Sequence, residues 1–131
     1  MSEDVSGTWV YRSLLNDPDP STVFNDLAFG LGQLNLALEG DILTGTLGGS
    51  GWSLALTGAV KSGDPTHLRF QGRGEIGGET WVYDYLCYSV PDWSHGIEQR
   101  DALVGSVIRT EPHSNGQAEA GFSASFYAVR A

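Results

Sequence analysis

The chain has 131 residues, 40% hydrophobic and 18% charged, which suits one domain over residues 1–131 with a core of its own and is too apolar for a disordered tail. Seven Lys and Arg stand against 16 Asp and Glu, and the net charge of −9 excludes the basic surface that nucleic acid or an anionic membrane requires. A lone cysteine, Cys87, excludes an intrachain disulfide and a cysteine metal cluster.

The acidic start, Met1-Ser2-Glu3-Asp4, leads into Val5-Ser6-Gly7 without an apolar signal core. No stretch approaches the roughly 20 apolar residues of a membrane helix, so a cytoplasmic protein is expected. From there hydrophobic periodicity is that of strands. Segments 6–15, 31–38, 41–48, 51–60, 67–76, 79–90, 102–110 and 120–130 each read as β and each ends in turn chemistry. Alternation is clean in Leu34-Asn35-Leu36-Ala37-Leu38 and in Trp52-Ser53-Leu54-Ala55-Leu56, and the run from Thr80 to Val90 is rich in aromatic and β-branched residues. Gly40-Asp41, Gly48-Gly49-Ser50-Gly51, Gly63-Asp64-Pro65 and Gly77-Gly78 supply short turns, and Asn115-Gly116 is a strong hairpin dipeptide. Two connections are longer. Residues 16–30 have room for a helical turn over 22–27, capped by Ser21 or Thr22, and residues 91–101 carry Trp93 and His95.

Eight sequential antiparallel strands leave two unpaired edges unless the sheet closes. An all-β fold is therefore expected, an eight-stranded up-and-down barrel whose interior is wide enough for side chains or one small ligand. A two-sheet sandwich would need long crossovers, and only the two longer connections are on offer.

Gly7-Thr8-Trp9 on the first strand resembles the glycine-x-tryptophan opening of the calycin group, the lipocalins and avidins. The resemblance implies a tryptophan that closes one barrel end beneath a late-strand cation, with Arg130 as first choice and Arg109 as second. Length, with Leu43-Thr44-Gly45-Thr46 and Leu56-Thr57-Gly58, resembles the avidin-like branch. Biotin recognition does not carry over. Tyr11 stands where avidins place an asparagine, Leu15 where they place a serine, and neither of the last two predicted strands holds an aspartate.

Strand parity sorts the candidate residues. If Trp9 points inward, Tyr11 and Ser13 share its face, and Trp81, Tyr83, Tyr85, Cys87 and Ser89 form one row of the sixth strand. That row either lines a ligand pocket or fills the barrel. The opposite row, Val82, Asp84, Leu86, Tyr88 and Val90, is mainly apolar and on a barrel exterior asks for a partner subunit, so a homodimer or larger homo-oligomer is expected. On the fifth strand His67, Arg69, Gln71, Arg73 and Glu75 share a face. Alternation favours a solvated exterior, while an inward placement would offer Arg69 and Arg73 to an anion. Arg12, Arg69, Arg73, Arg109 and Arg130 all lie on predicted strands, in a protein whose acids lie mostly in connections.

The leading expectation is binding of a small, apolar or aromatic molecule by Tyr11, Trp52, Trp81, Tyr83 and Tyr85. Trp93 is a lid over the barrel mouth, a plug for a neighbouring subunit or a pin for its own loop, and Arg69 and Arg73 would receive an anionic end if they face inward. A cofactor-independent cyclase, isomerase or dehydratase in the same cavity is the alternative, with His95 or Asp84 as acid–base candidates. A filled, partner-binding barrel is the third reading. Neither His67, His95 nor His113 has zinc-site spacing, no phosphate loop or dinucleotide fingerprint occurs, and Cys87 reads as a core residue, so no metal or cofactor is expected.

Overall fold

The computed structural model describes residues 4–91 and 100–131. Its strands are β1 (Gly7–Leu15), β2 (Ala28–Glu39), β3 (Ile42–Gly49), β4 (Trp52–Lys61), β5 (His67–Ile76), β6 (Glu79–Val90), β7 (Ala102–Arg109) and β8 (Ser123–Arg130). Each hydrogen-bonds antiparallel to the next, and β1 also pairs with β8 from Trp9↔Arg130 to Leu15↔Ala124, which closes the barrel. The expected strands all form, with ends shifted by a few residues. Strand β2 begins early, at Ala28, because a register slip between Ser13 and Leu14 lets Ala28 and Gly30 pair with β1. A 3-10 turn over Phe24–Leu27 replaces the helical turn expected from residue 22. Val23 precedes it and makes no side-chain cap bond, so neither Ser21 nor Thr22 is the cap. Instead Asp19 accepts from the Ser21 amide and hydroxyl, and Asp17 from the Thr22 hydroxyl, which holds those residues in the preceding turn.

Inward parity places Trp9, Tyr11, Ser13, Leu34, Leu36, Leu43, Leu47, Leu54, Leu56, Leu68, Phe70 and Leu103 in the core, all buried. Several inward positions carry glycine because neighbouring backbone passes through the space a side chain would fill. A Cβ on Gly58 would lie 2.1 Å from the Arg69 carbonyl oxygen, and one on Gly105 would lie 2.0 Å from that of Leu86. These close approaches bend the sheet where it must curl.

One end of the barrel is sealed. Trp9 is wholly buried and its Nε1 donates to the Val5 carbonyl at 3.0 Å. The Arg130 guanidinium lies over the indole, 4.3 Å from the ring centroid. Its nitrogens donate to Asp101 Oδ2 at 3.0 Å, the Ser6 carbonyl at 2.9 Å and the Asp4 carbonyl at 2.9 Å. One planar side chain thus ties the N-terminal segment, β8 and the start of β7 across the barrel end. No helix among the described residues is long and apolar enough to cross a membrane.

Gly58→Ala must push β4 away from β5, and we expect it to lower the unfolding free energy by about 1–3 kcal/mol, read from the urea midpoint at unchanged slope.

Candidate functional site

The end opposite Trp9 is open. Inward side chains near it belong to the end of β1 (Ser13), the start of β2 (Phe29), the start of β4 (Trp52), the end of β5 (Ile76), the start of β6 (Trp81) and the end of β7 (Arg109). They enclose a cavity of about 490 Å³. Its floor is an aromatic cluster. Phe70 and Tyr85 stack at 4.9 Å, and Tyr11 meets Phe126 at 5.3 Å and Tyr85 edge-on at 6.3 Å. Below this layer the leucines and Trp9 fill the barrel, so the interior is packed in one half and hollow in the other.

Tyr11, Trp52, Trp81, Tyr83 and Tyr85, all expected to line an interior pocket, do line this cavity. Arg69 and Arg73 do not. Both are exposed, because Leu68, Phe70 and Gly72 take the inward positions of β5 and alternation turns the arginines outward. Asp84 is also on the outside, where it accepts from Gln71 Nε2 at 2.9 Å, and it is removed from any acid–base role in the cavity. Trp93 and His95 lie outside the described residues.

Two wall residues carry chemistry that the sequence reading did not place here. Arg109 ends β7 with the inward parity of Leu103, Gly105 and Val107, and is 7% exposed. Its Nε donates to Tyr83 Oη at 3.3 Å and its Nη1 to the Glu119 carbonyl at 3.2 Å. The guanidinium carbon lies 5.1 Å from the Phe122 ring centroid, 5.6 Å from that of Tyr83 and 5.8 Å from that of Phe29. Arg109 therefore lines the cavity and does not cover Trp9, which Arg130 does.

His113 arrives on the connection between β7 and β8, a third long connection that folds back over the mouth. Asn115-Gly116 does turn the chain, but at the tip of this loop, with Ser114 and Asn115 both at φ 56° and His113 bridged to Ala118. The Glu79 carboxylate fixes the tip by accepting from the Ser114 amide at 2.9 Å and the Asn115 amide at 3.1 Å. So held, the His113 ring stacks on Trp81 at 3.8 Å and places Nε2 2.8 Å from Tyr83 Oη, with Nδ1 3.0 Å from Ser114 Oγ. Arg109 Nε–H can only donate, so Tyr83 Oη accepts from it; in the tautomer with the proton on Nδ1, Tyr83 Oη–H donates to His113 Nε2 and Nδ1–H donates to Ser114 Oγ. This tautomer satisfies every group in the chain. Trp81 Nε1 is sealed from solvent with no partner, the one such atom among the described residues.

Burial sets the titration behaviour of the walls. The Tyr11 phenol is pushed up to about 12 and that of Tyr85 well above the usual tyrosine value. Both stay protonated and serve as neutral hydrogen-bonding groups. Burial also pushes Cys87 up to about 12 and leaves it unreactive. His113 is held below its ordinary value by burial first and then by the Arg109 charge, against a smaller opposing pull from Glu79. Among the described residues no three His, Cys, Asp or Glu side chains gather that could hold a metal ion.

An unfolded imidazole titrates near 6.5, so below that pH the unfolded chain binds a proton that folded His113 resists. The stability contributed by neutral His113 is complete above about pH 6.5 and is lost as the pH falls through its depressed folded value. We expect urea midpoints of wild type and His113→Gln to converge between about pH 7.5 and pH 5. Compared with protein-family models, curated proteins and solved structures, the chain gives no match.

Proposed function

We propose that this protein binds a small, largely apolar or aromatic molecule in the open half of its barrel. The observation that carries the reading is the aromatic-walled cavity of about 490 Å³. A liquid water takes up about 30 Å³, so the void is far larger than an imperfection of packing, and it falls within the range of small-molecule sites, about 300–1,000 Å³. Aromatic rings make up much of its wall, and Tyr83, Arg109 and His113 gather polar groups on one side, the pattern that gives a ligand both affinity and orientation. A barrel filled throughout would have no such space.

Catalysis in the same cavity is the weaker reading. Acid–base work needs a group whose pKa lies near the working pH and which is free to reach substrate. The Tyr11 and Tyr85 phenols titrate too high. The His113 imidazole has both nitrogens engaged, one by Tyr83 and one by Ser114. A preorganised binding wall fits these facts better than a proton shuttle does.

We read the barrel as calycin-like on its Gly7-Thr8-Trp9 opening and the Arg130 cover, with an avidin-like length and without avidin's biotin contacts. A second copy of the chain also belongs to the proposal. The outer face of β6, β7, β8 and β1 brings Val90, Ala102, Val129 and Val10 into one row and Tyr88, Val104 and Tyr127 into the next. Val10 is 51% exposed and Leu86 56%, whereas the outer face of β5 is polar. An apolar sheet face of this kind is covered economically by its own copy about a two-fold axis. A cytoplasmic setting suits the single buried thiol of Cys87.

The neutral dye N-phenyl-1-naphthylamine tests the cavity. We expect saturable fluorescence enhancement at one dye per chain, with quenching of tryptophan emission and an affinity about tenfold weaker for Trp81→Leu, the cost of one aromatic wall. Absence of saturable binding would remove the proposal. Native mass spectrometry of gently purified protein tests self-association, with an even multiple of 14.0 kDa expected and a clean monomer contradicting it.

A further inference from the structure

We infer that the ligand enters this cavity as an anion, a carboxylate carried on an apolar or aromatic body, and that Arg109 receives it; the inference rests on reading the cavity as a ligand site. A buried guanidinium is costly unless a negative charge or a full set of acceptors offsets it. Arg130 shows the usual solution in this same protein, an ion pair with Asp101 at 3.0 Å. Arg109 is the more buried of the two and forms no ion pair among the described residues.

Acidic residues are close enough in the fold to have supplied one, and they are used otherwise. Glu119 offers Arg109 its main-chain oxygen and leaves its side chain exposed. Glu79 commits both carboxylate oxygens to the amides of Ser114 and Asn115. What surrounds Arg109 instead is one phenol, one carbonyl and the rings of Phe29, Tyr83 and Phe122. Its Nη2 makes no hydrogen bond among the described residues. The rings shield the charge from water, and a charge-assisted bond formed there is stronger than one in solvent.

The same surroundings select the ligand class. A single arginine, whose Nη2 makes no hydrogen bond among the described residues, matches the charge and the acceptors of a monoanionic carboxylate, whereas a phosphate dianion calls for more donors than the wall presents. The aromatic floor formed by Tyr11 and Tyr85, backed by Phe126, lies below, to receive an apolar body. The protein as a whole carries −9 and repels anions at long range, so a preference for an anion has to arise at this local site and should persist when added salt screens the overall charge.

The isosteric pair 2-naphthoate and 2-naphthamide separates charge from shape, and calorimetric titration of the intact wild-type chain is the measurement. We expect naphthoate to bind at least about tenfold more tightly than naphthamide, with the preference retained in added salt. Arg109→Gln should abolish that preference, and Arg109→Lys should keep part of it. An Arg69→Gln/Arg73→Gln variant should leave it intact, because those arginines face solvent. Equal affinities for the two compounds in wild type would overturn the assignment of Arg109 yet leave the cavity reading standing. Failure of the neutral dye and of both naphthalenes to bind would overturn the cavity reading itself, and the anion assignment with it. The wild-type comparison decides the matter even if the Arg109 variants fold poorly, which near-ultraviolet circular dichroism would show.

Discussion

The pairing of β1 with β8 is the constraint on which the rest of this molecule depends. Without it the chain would be a long meander with two exposed edges. With it, alternation acquires a meaning, because every strand has an inside and an outside fixed by the same closure. The Trp9↔Arg130 register then brings the tryptophan and the guanidinium to adjacent strands at one end. That end becomes the plug, and the cavity is left to the other end, where Ser13 and Gly30 are too small to fill the space.

Closure also explains why one residue type plays several parts. Arg12 and Arg130 stand on the strands that close the barrel, the first outside and within 3.3 Å of the Tyr127 hydroxyl, the second over Trp9. Arg69 and Arg73 are set outside by the parity of β5. Arg109 is set inside by that of β7, at the point where the strand runs out and the wall meets the mouth. The concentration of arginine on strands in an acidic protein is thus not one feature. It is a set of individual placements, and Arg109 alone among these five faces the cavity.

Much of this was legible in the residues. Turn glycines and clean alternation located the strands, since both are local signals, and the inward row of β6 followed from parity once Trp9 was taken as internal. Arg69 and Arg73 would offer a place for an anion only by facing inward, and their own alternation with Leu68 and Phe70 points against it. Arg109 was readable by the same rule, because Leu103, Gly105 and Val107 share its parity, but its place on a late strand suggested the cover of Trp9 instead. Phe29 was hidden by a bulge, which carries no clear sequence signature. His113 could not be placed by periodicity at all. It sits in a loop, and what brings it to Tyr83 is a carboxylate on another strand, Glu79, capping the loop tip. Such long-range tethers leave no local pattern, although the polar run from Glu111 to Glu119 was long enough to mark the segment as more than a turn.

The most direct test is to watch the arginines themselves. In a ¹H–¹⁵N spectrum of the Nε–H groups, Arg109 should give a slowly exchanging resonance because it is buried and bonded to Tyr83. Addition of 2-naphthoate should shift that resonance with saturable dependence on concentration, while those of Arg69 and Arg73 stay in place. Shifts at Arg69 and Arg73 with none at Arg109 would contradict a carboxylate site inside the barrel.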